Sequence, residues 1–194
     1  MLKIALTGNI ASGKTSVCSL LEAEAPVLDA DLVCHKLLET SESIKEAFAN
    51  YDVFDNGEIS RDKLGKLIFF NENLKQMLEN LLYPDLIKEI QAFFEENSEK
   101  EFCVVAIPQL FEAGMENLFD RIILVYCRDD IRLERLIKRN NYSVEYAKIR
   151  MAAQISQDEK VKKADWIIRN EAEFEDLTSQ VSNLVEQIRL TQDR

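Results

Sequence analysis

Glycine and proline are scarce in this chain, 5 and 3 in 194 residues. That scarcity excludes a collagen-like repeat and a proline-rich linker. No apolar run approaches the ~18 residues that a membrane span needs, so no membrane association is expected. The start, Met1-Leu2-Lys3-Ile4-Ala5-Leu6, lacks a basic leader and a small-residue cleavage site. It reads as the first strand of a cytoplasmic protein rather than a signal peptide. The cysteines Cys18, Cys34, Cys103 and Cys127 stand no closer than sixteen positions, so there is no CxxC pair. They are expected as free thiols in a reducing compartment. One histidine, His35, gives no basis for a Ser-His-Asp hydrolase and is expected at the surface or half-buried. Positive charge is in deficit: 24 Lys and Arg face 35 Asp and Glu, a net −11. A generally basic nucleic-acid binder is excluded, whereas a local basic site for a small anion is not. With 46% apolar and 30% charged residues, the chain can build one globular core.

Strand and helix patterns alternate. Strands are expected at 2–7, 27–29, 102–107, 121–127 and 166–168. Helices are expected at 14–24, 32–39, 43–50, 129–140 and 143–157, and an amphipathic closing helix carries Phe174, Leu177, Val181, Leu184, Val185 and Ile188. Asp52 to Gly57 reads as a polar turn. From Arg61 to about Asn97 the pattern is helical, with breaks near Asn71 and Pro84. The strands are continuous apolar runs, which argues for a parallel sheet covered on both faces. The helical stretch of about 31–98 is too long for a simple crossover and reads as an inserted subdomain. Within it Phe69, Phe70, Leu74, Leu78, Leu81 and Leu82 form an apolar stripe, expected first as subdomain core.

Gly8-Asn9-Ile10-Ala11-Ser12-Gly13-Lys14-Thr15 matches G-x-x-x-x-G-K-[ST] between a strand and a helix. Gly8 and Gly13 let the backbone turn its N–H groups onto a phosphate. Lys14 adds a point charge for the β and γ phosphates, and Thr15 a hydroxyl for Mg²⁺. The helix that follows aims its N-terminus at the anion. The loop implies a nucleoside triphosphate without saying which reaction uses it. Asp29-Ala30-Asp31 closes the second strand, where ligands bind in open α/β sheets. Spacing alone leaves two readings: a carboxylate that orients an attacking hydroxyl, or a helix cap.

LTGNIASGKT, DADLVCHKL, IPQLFE at 107–112, RLERLIKR at 132–139, RMAAQ at 150–154 and KKADWIIRN at 162–170 occur in an order that resembles the dephospho-CoA kinases, across nearly the whole chain. The resemblance implies γ-phosphate transfer from ATP to the ribose 3′-hydroxyl of dephospho-CoA. It implies a three-layer α/β/α P-loop kinase core with a five-stranded parallel sheet, from 1–31, 99–127 and 158–194. A helical acceptor-binding subdomain at 32–98 and a lid at 128–157 complete it. By that resemblance Asp31 is the base or orienter for the hydroxyl, and Asp29 acts secondarily through Mg²⁺. Gly8, Asn9, Ile10, Ala11, Ser12, Gly13, Lys14, Thr15 and Ser16 contact ATP, with Asn170 on the adenine side. Four positions depart from the family's habit: Gln109 for Leu, Tyr83 for His in His-Pro, Ala11 for Gly, and Glu171-Ala172 where a glycine often stands near Asn170.

Residues 128–169 carry a net charge of +4 and the remainder −15. Arg132, Arg135 and Arg139 share one face of a helix. In this kinase setting they are expected to clamp phosphate, Arg135 and Arg139 above all. Lys160, Lys162 and Lys163 read as a solvated face. Asp52 to Gly57 is rejected as a calcium loop, because Phe54 and Lys63 stand where oxygen ligands belong. Asp62 to Gly65 fits the DxxG of GTPases by letters only, and no NKxD motif accompanies it. Two other functions stay open: a different small-molecule kinase, acting on a nucleotide, shikimate or gluconate, and a non-enzymatic nucleotide switch. The oligomeric state is open, with a monomer as the working expectation.

Overall fold

The computed structural model describes residues 1–192. In chain order the elements are β1 (Leu2–Thr7), α1 (Lys14–Leu21), β2 (Val27–Asp29), α2 (Ala30–Thr40), α3 (Glu42–Phe48), β3 (Phe54–Asp55), β4 (Glu58–Ile59), α4 (Arg61–Phe69), α5 (Glu72–Glu96), β5 (Phe102–Ala106), β6 (Arg121–Tyr126), α6 (Asp129–Asn140), α7 (Val144–Ala152), α8 (Gln157–Val161), β7 (Trp166–Arg169) and α9 (Phe174–Gln192). They fall into two compact units, one of Met1–Asp29 with the chain from Glu96 onward, the other of Ala30–Glu95.

The first unit is built on a five-stranded sheet in the order β2-β5-β1-β6-β7, parallel throughout. Every residue of β5 is buried, as the unbroken apolar run requires of a strand covered on both faces. Alternate side chains, among them Ile4 and Leu6, Val104 and Ala106, and Ile123 and Val125, pack with Val17 and Leu21 of α1 and with Leu177, Val181, Leu184 and Ile188 of α9. The intervening residues Ala5, Val105 and Leu124 point to the opposite face and are fully buried too. β1 lies at the centre. The chain leaves it for β2 on one side, and β6 and β7 fill the other. The carboxyl end of β1 is therefore the point where strand order reverses, the place where such sheets bind ligands.

The second unit packs Leu38, Ile44, Phe48, Val53, Ile59, Leu64, Leu74, Leu78 and Leu82 into one core. The expected apolar stripe from Phe69 to Leu82 is thus core at Leu74, Leu78 and Leu82 of α5, but Phe70, just past α4, stands 79% exposed. The expected break at Pro84 is absent, since α5 runs through it from Glu72 to Glu96. Pro84 and Asn80, whose carbonyl loses its helical donor, both lie on the exposed face, where water can take that bond. The expected polar turn at 52–57 proves to be part of a hairpin, β3 pairing antiparallel with β4. Asn56 and Gly57 join the strands at φ 52° and 87°, the left-handed pair that a two-residue hairpin turn requires.

The helix expected over 143–157 is also two helices. α7 ends at Ala152, and α8 begins behind Ser156, whose hydroxyl accepts from Glu159 N at 3.3 Å. That Ser-x-x-Glu spacing is a capping signature, and it starts a new helix. Among the described residues no helix is long and apolar enough to cross a membrane, and the four cysteines are free thiols. Leu6 is fully buried at the centre of the sheet core. Leu6→Ala should lower the unfolding free energy by about 2–5 kcal/mol in urea titration.

Candidate functional site

β1 ends at Thr7, whose hydroxyl donates to Pro108 O at 3.2 Å and fixes the strand's end beside β5. The loop from Gly8 to Gly13 then turns tightly. A Cβ on Gly8 would stand 2.6 Å from Ser12 Oγ and 2.9 Å from Val125 O, so the backbone approaches too closely for a side chain. Ser12 N donates to Asn9 O at 3.0 Å. Gly13 precedes α1 at φ 92°, and a Cβ there would fall 1.8 Å from Asn170 Nδ2. Both conformation and space demand glycine at this position. Ala11 adopts φ 63°, a left-handed conformation held by a residue with a side chain.

α1 begins at Lys14 with no side-chain cap and no acid in its first turn. Its leading amides therefore keep their positive end uncompensated, the arrangement that binds anions. Ser12 Oγ is buried and has no hydrogen-bond partner among the described residues. A triphosphate oxygen fits an empty donor of this kind in a cradle already aimed at an anion.

The expected ATP contacts from Gly8 to Ser16 lie on this one loop and first turn, with Lys14 half-buried and Thr15 and Ser16 exposed. Asn170 joins them, buried, donating its Nδ2 to Ser12 O at 2.9 Å. Arg135 reaches the same corner. Its Nη1 donates to Cys127 Sγ at 3.4 Å and would be 3.8 Å from a Cβ on Gly13. Arg139, one turn further along α6, is exposed and donates to Asn140 Oδ1 at 2.9 Å, so the structure does not bring it to the loop. Asp29 closes β2 in register with Ala106, itself in register with Leu6. It stands at the carboxyl edge two strands from β1, roughly 10 Å across the sheet. Asp31 is an exposed residue in the first turn of α2, in the second unit.

Several residues that hold the loop escaped the sequence reading. Ile10 N donates to Gln154 Oε1 at 2.7 Å, and Asn9 Nδ2 donates to Ile155 O at 2.9 Å. Ile155 N donates to Glu112 Oε1 at 3.0 Å. Lys160, expected on a solvated face, is instead fully buried and ion-paired with that same oxygen at 2.8 Å. Gln157 links Cys127 and Asp129, accepting from Cys127 N at 3.2 Å and donating to Cys127 O and Asp129 Oδ1 at 2.8 and 2.9 Å. Arg132 is also buried, its Nε donating to Ile10 O at 2.9 Å and its Nη1 to Asp129 Oδ1 at 2.7 Å. The arginine face of α6 is thus divided: Arg132 serves the loop's backbone, Arg135 lies at the loop's edge, and Arg139 faces solvent. A cavity of about 630 Å³ lies beside Asn9, lined by Arg132, Leu133, Gln154 and Gln157 among others.

A family model described as dephospho-CoA kinase matches residues 2–176. The chain belongs to the dephospho-CoA kinase family. It is 37% identical over 192 residues to the dephospho-CoA kinase of Oceanobacillus iheyensis, covering 95% of this chain and 96% of that one. It is 36% identical to that of Listeria monocytogenes, covering 94% and 95%. A dephospho-CoA kinase structure from Campylobacter jejuni superposes with a TM-score of 0.71 at 30% identity, over 96% of each chain. A Thermus thermophilus crystal structure reaches 0.83 at 32% identity, also over 96% of each. An Acinetobacter baumannii shikimate kinase, at 15% identity and a TM-score of 0.57, shares the fold alone.

In this dephospho-CoA kinase family member the phosphate loop rests on buried polar groups. Burial holds the Lys160 ammonium below the usual lysine range, against the pull of Glu112. Between that lowered value and 10.5 the unfolded chain binds more protons than the native one, so native stability rises with pH across that interval. Removing one partner of a buried pair leaves the other charge uncompensated. Glu112→Leu should therefore cost about 3–5 kcal/mol, whereas Glu112→Leu with Lys160→Met should recover most of the loss. Urea unfolding of the three proteins measures it. A single variant as stable as the wild type would contradict the pairing.

Proposed function

We propose that this chain transfers the γ-phosphate of ATP to the ribose 3′-hydroxyl of dephospho-CoA, the last step of coenzyme A synthesis. The observation that carries the reading is an anion cradle with an uncompensated helix N-terminus, set in a chain that matches the dephospho-CoA kinase model over residues 2–176. An ATP-dependent kinase follows from family membership, and the named roles below are the proposal's own content.

In this reading the loop amides and Lys14 hold the β and γ phosphates, and Asn170 borders the adenine side. Arg135 offsets charge as the phosphoryl group transfers. Arg139 reaches the phosphates only if the far part of α6 moves inward, which fits a lid over 128–157 that closes and excludes water. Residues 32–98 supply the acceptor site. Asp31 orients the 3′-hydroxyl and takes its proton.

No cluster of three or more His, Cys, Asp or Glu among the described residues is placed to hold a metal. The Thr15 hydroxyl, the Asp29 carboxylate and the triphosphate oxygens are the hard oxygen donors that Mg²⁺ takes, and it keeps water and phosphate oxygens as most of its ligands. Thr15 and, through water, Asp29 would hold it, and it would neutralise charge on the phosphates. ATP and dephospho-CoA are the substrates proposed, with the cytoplasm as the proposed compartment.

Two measurements test the reading. ADP release from ATP should rise strongly with dephospho-CoA and not with shikimate, gluconate or a nucleoside monophosphate. Stimulation by another acceptor alone would name a different kinase, and none by any would favour a nucleotide switch. Asp31→Ala should leave ATP binding nearly intact and lower transfer by about 10²–10⁴. Transfer near the wild-type rate would remove Asp31 from its role.

A further inference from the structure

Ala11 sits at φ 63°, where a side chain costs about 1–2 kcal/mol. Something must hold it there. Its φ is coupled to the orientation of the Ile10–Ala11 peptide, because flipping that plane trades a positive φ at Ala11 for a negative one. The carbonyl of this plane, Ile10 O, accepts from Arg132 Nε at 2.9 Å. Arg132 cannot readily give way. It is 2% exposed, and Asp129 holds its other edge at 2.7 Å. The preceding plane is held as well, since Ile10 N donates to Gln154 Oε1 at 2.7 Å.

The peptide is trans, as are all those described, so its N–H points opposite to its C=O. With Ile10 O turned to Arg132, Ala11 N–H is turned away from α6. We propose that Arg132 is a positioning residue for phosphoryl transfer: by capturing Ile10 O it locks Ala11 in the left-handed conformation and aims the Ala11 amide at the bound triphosphate. This rests on ATP being the ligand of the loop.

The test is a cycle of Arg132→Met and Ala11→Gly, read by titration with a non-hydrolysable ATP analogue and by steady-state kinetics. Arg132→Met should weaken analogue binding and raise the ATP KM by about tenfold or more, as loss of a charge-assisted hydrogen bond does. The KM for dephospho-CoA should not move. Ala11→Gly, measured alone, is the reference from which coupling in the double variant is read. Added to Arg132→Met it should recover about fivefold, because glycine reaches a positive φ without the penalty. A merely structural arginine gives no such rescue.

Wild-type ATP affinity in Arg132→Met, or strictly additive effects, would overturn the proposal. Should Arg132→Met not fold, Arg132→Gln, which keeps a polar partner for Asp129 and falls short of Ile10, takes its place in the cycle with the same expectations. Failure of the wild-type protein to bind the analogue at all would instead remove the functional reading, and with it the ligand on which this inference depends.

Discussion

The unpaired amides at the start of α1 are the constraint around which the first unit is organised. A positive helix end is useful to an anion only if no protein acceptor occupies the same space. The loop achieves this by withdrawing its own carbonyls. Asn9 O accepts from Ser12 N, Ile10 O from Arg132, Ser12 O from Asn170, and Gly13 O from Ser16 N and Val17 N. These four carbonyls are turned to protein donors. Gly8, Ala11 and Gly13 supply the backbone geometry that lets it be so. Arg132 follows β6 and Asn170 follows β7, and the parallel sheet brings them to one loop by setting β6 next to β1 and β7 next to β6.

A count of charges overstates how much positive potential this region offers. The tract 128–169 is net positive, but several of its cations are already engaged. Arg132 pairs with Asp129, Lys160 with Glu112, and Arg128 with Asp130. The Arg128 guanidinium draws the Asp130 carboxyl down to about 2. The Arg135 guanidinium instead meets the Cys127 sulfur, whose own proton is retained more firmly because the thiol is buried. In an acidic protein, selectivity for an anionic ligand thus comes from a few local donors rather than from a broad basic surface.

The parts of the fold legible in the sequence are those with a strong local signature. Five apolar runs became five parallel strands, and the glycine-rich loop could be placed to the residue because its glycines answer to local sterics. The parts that misled depend on partners distant in sequence. Lys160 looks like its neighbours Lys162 and Lys163, and nothing nearby shows that Glu112 waits for it across the fold. Apolar periodicity carries the α7 pattern past Ala152, but Gln154 and Ile155 leave the helix to bond Ile10, Asn9 and Glu112. Two misses had local signals: Ser156-x-x-Glu159 marks a fresh helix, and Asn56-Gly57 marks a hairpin. Pro84 shows the converse, a local breaker overridden because α5 buries a residue every four positions from Leu74 to Phe94 and leaves the proline facing solvent.

The same contacts bear on the proposed lid. α6 is rooted against the phosphate loop by Arg132 near its start, and the α7–α8 connection is rooted there by Gln154 and Ile155. Arg132 and Gln154 hold Ile10 and Ile155 holds Asn9; these are the two residues that precede the left-handed turn. A hairpin anchored at both feet cannot swing as a whole without pulling on the loop. Beyond Arg135 and before Ala152 lies the tip, where Asn141 adopts a left-handed conformation at φ 53° between α6 and α7. Arg139 lies in that tip and Arg132 and Arg135 do not. The three arginines of one helix face are therefore placed differently: one holds the loop's backbone, one sits at the loop's edge, and one is exposed on the tip.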